Sequence, residues 1–237
     1  MSEGHVELYI LADNRVRDSA FISTWGLSIL VTLHNRNILF DVSPQWDIVR
    51  YNARLLKAPI DNVDYIVISH WHSDHAGGIL DAIRYYNSLN RKVGVIVPSK
   101  KWFLLEAKAN IIVGKRPVKI ANEVFTSGVL RSIIKEQFLI INIKGKGPLI
   151  LVGCAHPGID VVLKHACKLL DTSSIYGLIG GYHINGLEAY NTLETLRRHN
   201  VKVIGPAHCT SDDAIEILRS NFEGTFIDIY TGLRLEL

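Results

Sequence analysis

A histidine-dense turn is the feature that most constrains this chain. Ser69-His70-Trp71-His72-Ser73-Asp74-His75-Ala76-Gly77-Gly78 sets three imidazoles and a carboxylate within six residues, directly after the strand-like run Asp64-Tyr65-Ile66-Val67-Ile68. Alternate residues of an extended segment point to one side, so His70 and His72 can grip one ion. The tighter turn through Asp74 and His75 can direct two further ligands to a second ion. Trp71, between the imidazoles, reads as packing.

With 237 residues, 48% of them hydrophobic and 21% charged, the chain suits a single layered domain over residues 1–237. Its longest apolar run, around Leu149-Ile150-Leu151-Val152, is too short to span a bilayer, and the opening Met1-Ser2-Glu3-Gly4-His5 has no signal-sequence character. A cytoplasmic location is expected. Three cysteines make a disulfide framework improbable and fit a reducing compartment. A formal charge of +3 is too small to argue for nucleic acid, yet suits a small anionic substrate. The chain has no G-x-S-x-G elbow, no phosphate-binding G-x-x-x-x-G-K-[ST] loop and no dinucleotide fingerprint after its first strand.

Along the chain, strands are expected at 5–12, 27–33 and 37–42, with His34-Asn35-Arg36-Asn37 as a hairpin turn. Ser43-Pro44 reads as a capped entry to a helix over 45–57. A helix at 78–89, a strand at 93–97 and a Ser99-capped helix reaching Ala109 follow the histidine loop. The second half reads as strands at 129–134, 138–143 and 148–153, then helices at 159–170, 187–199 and 212–221 alternating with strands at 174–180 and 201–205. A strand pair within 226–235 closes it. Strand runs interleaved with helices in both halves predict two mixed sheets face to face with helices outside, a four-layer αββα α/β sandwich. His70, His156, His183 and His208 fall at strand ends, where functional groups gather. His5, His34, His165 and His199 fall on helices or tips and read as surface or local contacts.

The loop, Asp41 at the end of Leu39-Phe40-Asp41 and the later strand-end histidines together resemble the metallo-β-lactamase superfamily. Trp25-Gly26-Leu27-Ser28, Asn52-Ala53, Gly153-Cys154-Ala155-His156-Pro157-Gly158-Ile159, Gly180-Gly181-Tyr182-His183 and Pro206-Ala207-His208-Cys209-Thr210 resemble one subfamily, the 7,8-dihydropterin-6-methyl-4-(β-D-ribofuranosyl)aminobenzene-5′-phosphate synthase-like proteins. The resemblance implies His70, His72 and His156 around a first divalent ion and Asp74, His75 and His208 around a second. Zinc leads as their identity, and iron and manganese also suit the ligands. Many superfamily members bridge the ions with an aspartate on a strand ending in Gly-Asp; here the strand ends in Gly153-Cys154. Either the Cys154 thiolate serves there or the bridge is missing and the second ion binds weakly.

Asp41 reads as the partner of a ligating imidazole or as a turn aspartate, and His183 as a substrate-facing acid/base, a further ligand or a structural residue. Tyr182 offers a ring for stacking or for the core, and Arg131 a charge for an anionic substrate. Metal-assisted hydrolysis or group transfer on a small phosphorylated or ester-bearing metabolite, with Asp74 orienting the attacking water, is the implied activity, a pterin-related synthase among the options. The competing reading is a metal-holding binding or sensor protein with little turnover. Neither reading fixes the oligomeric state.

Overall fold

The computed structural model describes residues 5–33, 36–130 and 132–237. Its first half is an antiparallel meander, β1 (Val6–Ala12), β2 (Ser28–Leu33) and β3 (Arg36–Phe40), that turns parallel through β4 (Tyr65–Val67), β5 (Gly94–Val97) and β6 (Asn110–Val113). Helix α1 (Trp46–Leu55) crosses between β3 and β4, and α2 (Ser73–Ala76) with α3 (Ile79–Ser88) between β4 and β5. The second half repeats the scheme. β7 (Val124–Thr126), β8 (Leu139–Ile143) and β9 (Gly147–Val152) are antiparallel, and β10 (Gly177–Gly181), β11 (Val203–Ala207) and β12 (Thr225–Phe226) continue in parallel from β9. Their crossovers are α4 (Ile159–Leu170), α5 (Gly186–Arg198) and α6 (Asp212–Asn221). α5 starts in a capping box between Asn185 and Glu188, and the Ser211 side chain caps α6.

The central strands are buried on both faces and divide their side chains by alternation. Ile29, Val31, Ile38 and Phe40 meet Leu139, Ile141, Leu149 and Leu151 between the sheets. Leu30, Leu39, Ile66 and Val95 pack under α1 and α3, and Ile140, Ile150, Leu178 and Ile204 under α4, α5 and α6. These three apolar layers make the four-layer sandwich. Among the described residues no helix is long and apolar enough to cross a membrane.

Four sequence-based expectations change. Ser43 caps no helix: its φ is 59°, its N–H donates to the Leu27 carbonyl at 3.1 Å and its carbonyl accepts from Gly78 at 2.9 Å, tying β2 to the histidine loop. α1 starts instead at Trp46 behind Gln45. The helix expected from Ser99 is one 3-10 turn, Trp102–Leu104, because Trp102-Phe103-Leu104-Leu105 is a consecutive apolar run that cannot place all four on one helical face. Trp102 and Leu105 are left exposed. Of the strand expected at 129–134 the described residues keep one bridge, between Leu130 and Glu136, after a turn at Gly128 with φ 69°. Finally, the closing strands do not pair with each other. β12 extends the second sheet beside β11, whereas β13 (Arg234–Glu236) crosses back to pair antiparallel with β1. The crossing chain brings Thr231 against Asp13, whose N–H donates to Oγ1 at 2.8 Å while the hydroxyl donates to the Asp13 carbonyl at 2.9 Å.

Candidate metal centre

The parallel strands all run toward one edge, and their C-terminal exits supply the site, as crevices outside strand ends do in α/β sheets. Asp41 follows β3, His70 follows β4, Cys154 and His156 follow β9, His183 follows β10 and His208 follows β11. Asp41, Ala155, His183 and His208 have φ of 58°, 51°, 52° and 48°. Such left-handed exits are sparsely populated for side-chain-bearing residues and persist where surrounding bonds over-determine them.

Those bonds also fix the histidine tautomers. Asp41 accepts from the Ser69 N–H at Oδ1 and from the Ser69 hydroxyl at Oδ2, both at 2.7 Å. With its hydrogen committed, Ser69 Oγ must accept from His70 Nδ1, 2.9 Å away. His75 Nδ1 donates to Asp41 Oδ2 at 2.7 Å, and His156 Nδ1 to Glu136 Oε2 at 2.8 Å. Asn14 gives its amide N–H to the His208 carbonyl at 2.8 Å, so its oxygen is the atom that accepts from His208 Nδ1 at 2.9 Å. Each of these four imidazoles is thereby held at Nδ1 with its Nε2 lone pair bare, the arrangement outer partners impose on ligating histidines.

The bare nitrogens converge. His70 Nε2 lies 3.1 Å from His72 Nδ1, and both share a group with His156 whose donor atoms are all within 4.8 Å of one another. His208 Nε2 lies 3.1 Å and His75 Nε2 3.8 Å from Asp74 Oδ2, forming a second group. Cys154 stands between them: its Sγ is 3.1 Å from His75 Nε2, and with His70 and His75 it forms a group of its own. Nitrogen and oxygen donors placed about 2.0–2.1 Å from a tetrahedral ion lie roughly 3.3 Å apart, close to the distances here. Imidazole, carboxylate and thiol suit zinc, iron or manganese. The residues present fit a pair of divalent ions.

Burial and neighbouring imidazoles push His70 down to about 2 and His75 to about 3, from an ordinary 6.5, so both are neutral and able to bind metal. Burial works against ionisation of Glu136, but the His156 bond and the backbone N–H donors outweigh it and hold the carboxyl at about 2. Asp74 is likewise kept low against burial, first of all by the His208 imidazole 3.1 Å away. Burial outweighs the two Ser69 donors and raises Asp41 well above the usual carboxylate range. The Asp41–His75 pair shares one proton, and a cation at Nε2 favours its residence on Nδ1.

One pH effect follows for the metal-free protein. Below its ordinary value near 6.5 the unfolded chain protonates His70 and the folded chain does not, so stability rises with pH and is lost on acidification. Burial raises Asp41 as it lowers His75, so the proton that one gains on folding offsets the proton that the other refuses and the pair is nearly neutral in this balance, leaving His70 to set a slope of about 1.4 kcal/mol per pH unit between roughly pH 6 and 4.5. Glu136 steepens the loss below its ordinary 4.5. Urea unfolding of chelator-treated protein at pH 7, 6 and 5 checks this; a flat profile contradicts the burial of a neutral His70.

The structure therefore brings together His70, His72, Asp74, His75, His156 and His208, places Cys154 between the two groups and sets Asp41 behind His75 and Ser69. His183 is exposed beside them, its ring centroid 4.9 Å from that of His156, and burial together with His156 lowers its proton affinity. Tyr182 is corrected: it is 1% exposed, packed among the residues under α4 and α5, and its hydroxyl donates to the Leu178 carbonyl at 2.7 Å, so it presents no ring to a substrate. Arg131 lies outside the described residues. Trp71 packs on Phe103 and the first core layer, as expected of it.

Sequence reasoning missed Glu136 and Asn14. Glu136 Oε1 accepts from the N–H groups of Cys154 and Ala155 at 2.9 and 3.0 Å, and Oε2 from that of His156 at 2.8 Å, so one buried carboxylate shapes the whole second ligand loop. Its signal was the polar Glu136-Gln137 pair set directly against an apolar strand.

A family model described as the metallo-beta-lactamase superfamily matches residues 26–163. A Methanocaldococcus jannaschii protein named 7,8-dihydropterin-6-methyl-4-(beta-D-ribofuranosyl)-aminobenzene-5′-phosphate synthase is 22% identical over 96% of this chain and 95% of its own. An uncharacterized protein of the same organism is 29% identical over 87% of this chain and 91% of its own. Among solved structures Tm1679, a metal-dependent hydrolase of the beta-lactamase superfamily, shares the fold with a TM-score of 0.77 at 24% identity, covering 98% of this chain and 99% of that one. With the αββα layers, the strand-end ligands and the matched span in agreement, the chain belongs to the metallo-β-lactamase superfamily.

Proposed function

We propose that the protein is a metal-dependent hydrolase or transferase acting on a small phosphorylated or ester-bearing metabolite. The observation that carries this reading is the set of four imidazoles pinned at Nδ1 with Nε2 bare toward a shared space. A divalent pair held by His70, His72 and His156 and by Asp74, His75 and His208 would supply Lewis acidity and an acidified water. Asp74 stays ionised and partly open to solvent, so its carboxylate can orient the attacking water. His183, exposed next to His156, is placed to pass a proton to the leaving group.

A phosphorylated substrate is supported by a cleft of about 620 Å³ lined, among the described residues, by Lys100, Lys115 and Lys135 with Pro98, Ser99, Val113 and Val129 and no carboxylate. One wall, Ser99, accepts from the Trp71 indole at 3.0 and 3.1 Å; another, Lys135, immediately precedes Glu136. Two of its walls are thus linked to neighbours of the His70–His72–His156 group, Ser99 to Trp71 beside His72 and Lys135 to Glu136 behind His156, with lysines in the role first sought in Arg131. The relationship to the pterin phosphate synthase supports the same substrate class.

Metal analysis of the purified protein and a screen with phosphodiester, thioester and lactone substrates test the reading. More than one ion per chain and a phosphodiester rate falling at least ~100-fold in His72→Ala are expected. Less than one ion per chain together with an unchanged His72→Ala variant overturns it, and tight metal retention with no turnover identifies a sensor instead.

A further inference from the structure

Beside the paired centre, and sharing Cys154 with it, lies a third cluster of ligating atoms. Sγ of Cys154, a ring nitrogen of His183 and Sγ of Cys209 all fall within 4.8 Å of one another. The three residues come from the exits of β9, β10 and β11, adjacent strands in that order. The middle strand would ordinarily keep the outer two loops apart. Gly181 removes the obstacle: a Cβ there would sit 2.6 Å from Cys209 Sγ and 3.3 Å from Cys154 Cα, so the thiols meet over this glycine only because it has no side chain. No disulfide joins them.

We propose that Cys154, His183 and Cys209 form a third metal seat, a Cys2His set for a thiophilic divalent ion such as zinc, sharing the Cys154 sulfur with the paired centre. Two sulfurs about 2.3 Å and one nitrogen about 2.0 Å from a tetrahedral ion lie roughly 3.5–3.8 Å apart, which the cluster reaches by small rotations of its side chains. Three protein ligands leave a fourth position open, the pattern of an exchanging site rather than of a closed structural one. Burial grades outward from Cys154 through the half-buried Cys209 to the exposed His183, which gives the ion an entry path. Binding releases the thiol protons to solvent and involves no redox step. Two thiolates make this the softest of the candidate seats, so it selects zinc or cadmium over manganese.

The test is stepwise cadmium loading of the whole chain in a thiol-free reductant, read by the sulfur-to-cadmium charge-transfer band and by bound metal. Wild type is expected to take one ion more per chain than Cys209→Ser or His183→Gln, with the band falling by at least half in the serine variant because the seat's sulfur–cadmium bonds leave with its ion. Cys167→Ser, whose sulfur lies 3.4 Å from His199 Nδ1 and away from the site, is expected to match wild type. Zinc-edge absorption of fully loaded protein should add sulfur scatterers near 2.3 Å that Cys209→Ser diminishes. Equal uptake and equal bands in wild type and both site variants overturn the seat, as does a Cys154–Cys209 disulfide that persists in reductant. None of these readouts requires turnover, so the seat is tested apart from metal-assisted hydrolysis itself; an ion in it would hold His183 as a ligand and take it from the proton-donor role given above.

Discussion

Asp41→Asn is expected to keep the fold while costing the protein its metal and at least two orders of magnitude of catalytic rate. The backbone tolerates the exchange, since asparagine is among the residues that accept a left-handed φ such as the 58° at this position. The side chain does not. Asp41 is acceptor to three donors, the Ser69 N–H, the Ser69 hydroxyl and His75 Nδ1. An amide presents N–H to at least one of them, which turns His75 to its other tautomer, with a hydrogen on Nε2, or reverses the Ser69 hydroxyl and with it His70. Partners behind ligating histidines are commonly worth 10–100-fold in metal affinity, and an asparagine behind a catalytic histidine about 10⁴ in rate through the wrong tautomer. Here one substitution disturbs ligands assigned to both ions. Equilibrium dialysis with zinc, together with circular dichroism to show an intact fold, measures it; affinity within about threefold of wild type would contradict the tautomer argument.

Glu136→Ala should instead unfold the protein's edge. Removing the carboxylate strands the N–H groups of Cys154, Ala155 and His156 and releases His156 Nδ1, four donors in a region where Glu136 itself is 2% exposed. At about 1–3 kcal/mol for each buried donor left unpaired, with some relief from entering water, a loss of roughly 3–5 kcal/mol in unfolding free energy is expected. Glu136→Gln separates the two roles. Its oxygen can still serve Cys154 and Ala155, but its NH₂ meets the two donors of His156, so binding at the His70–His72–His156 group should weaken more than folding does. Urea denaturation and metal content of both variants decide it, and an alanine variant within about 0.5 kcal/mol of wild type would sink the assignment.

The pattern of these effects reflects what was legible in the chain. His70, His72, Asp74 and His75 announced themselves because a short loop holds them at fixed spacing after an apolar strand. Of the residues that aim them, Asp41 could be read as a histidine's partner through the family resemblance, but which histidine it serves, and the parts of Glu136 and Asn14, are legible only in space. Asp41, Glu136 and Asn14 reach their histidines across 34, 20 and 194 positions of sequence, and a buried carboxylate looks like any other in a string. The same holds for architecture. Helices such as α6 lie where they were expected, over 212–221, but the destination of β13 depends on which sheet edge is open, a property of the assembled sheets. The expected helix after Ser99 failed for a local reason, apolar residues in a block without helical period.

The groups of ligands also straddle the two sheets. His70 and His72 follow a strand of one sheet and His156 a strand of the other, and Asp74 and His75 face His208 in the same manner. An ion in either group is therefore a clasp across the sandwich, fastening two sheets that otherwise meet mainly through apolar contact. Metal should act on this protein as a cross-link does, slowing the opening of the two halves from each other and coupling occupancy to lifetime of the folded chain as well as to chemistry.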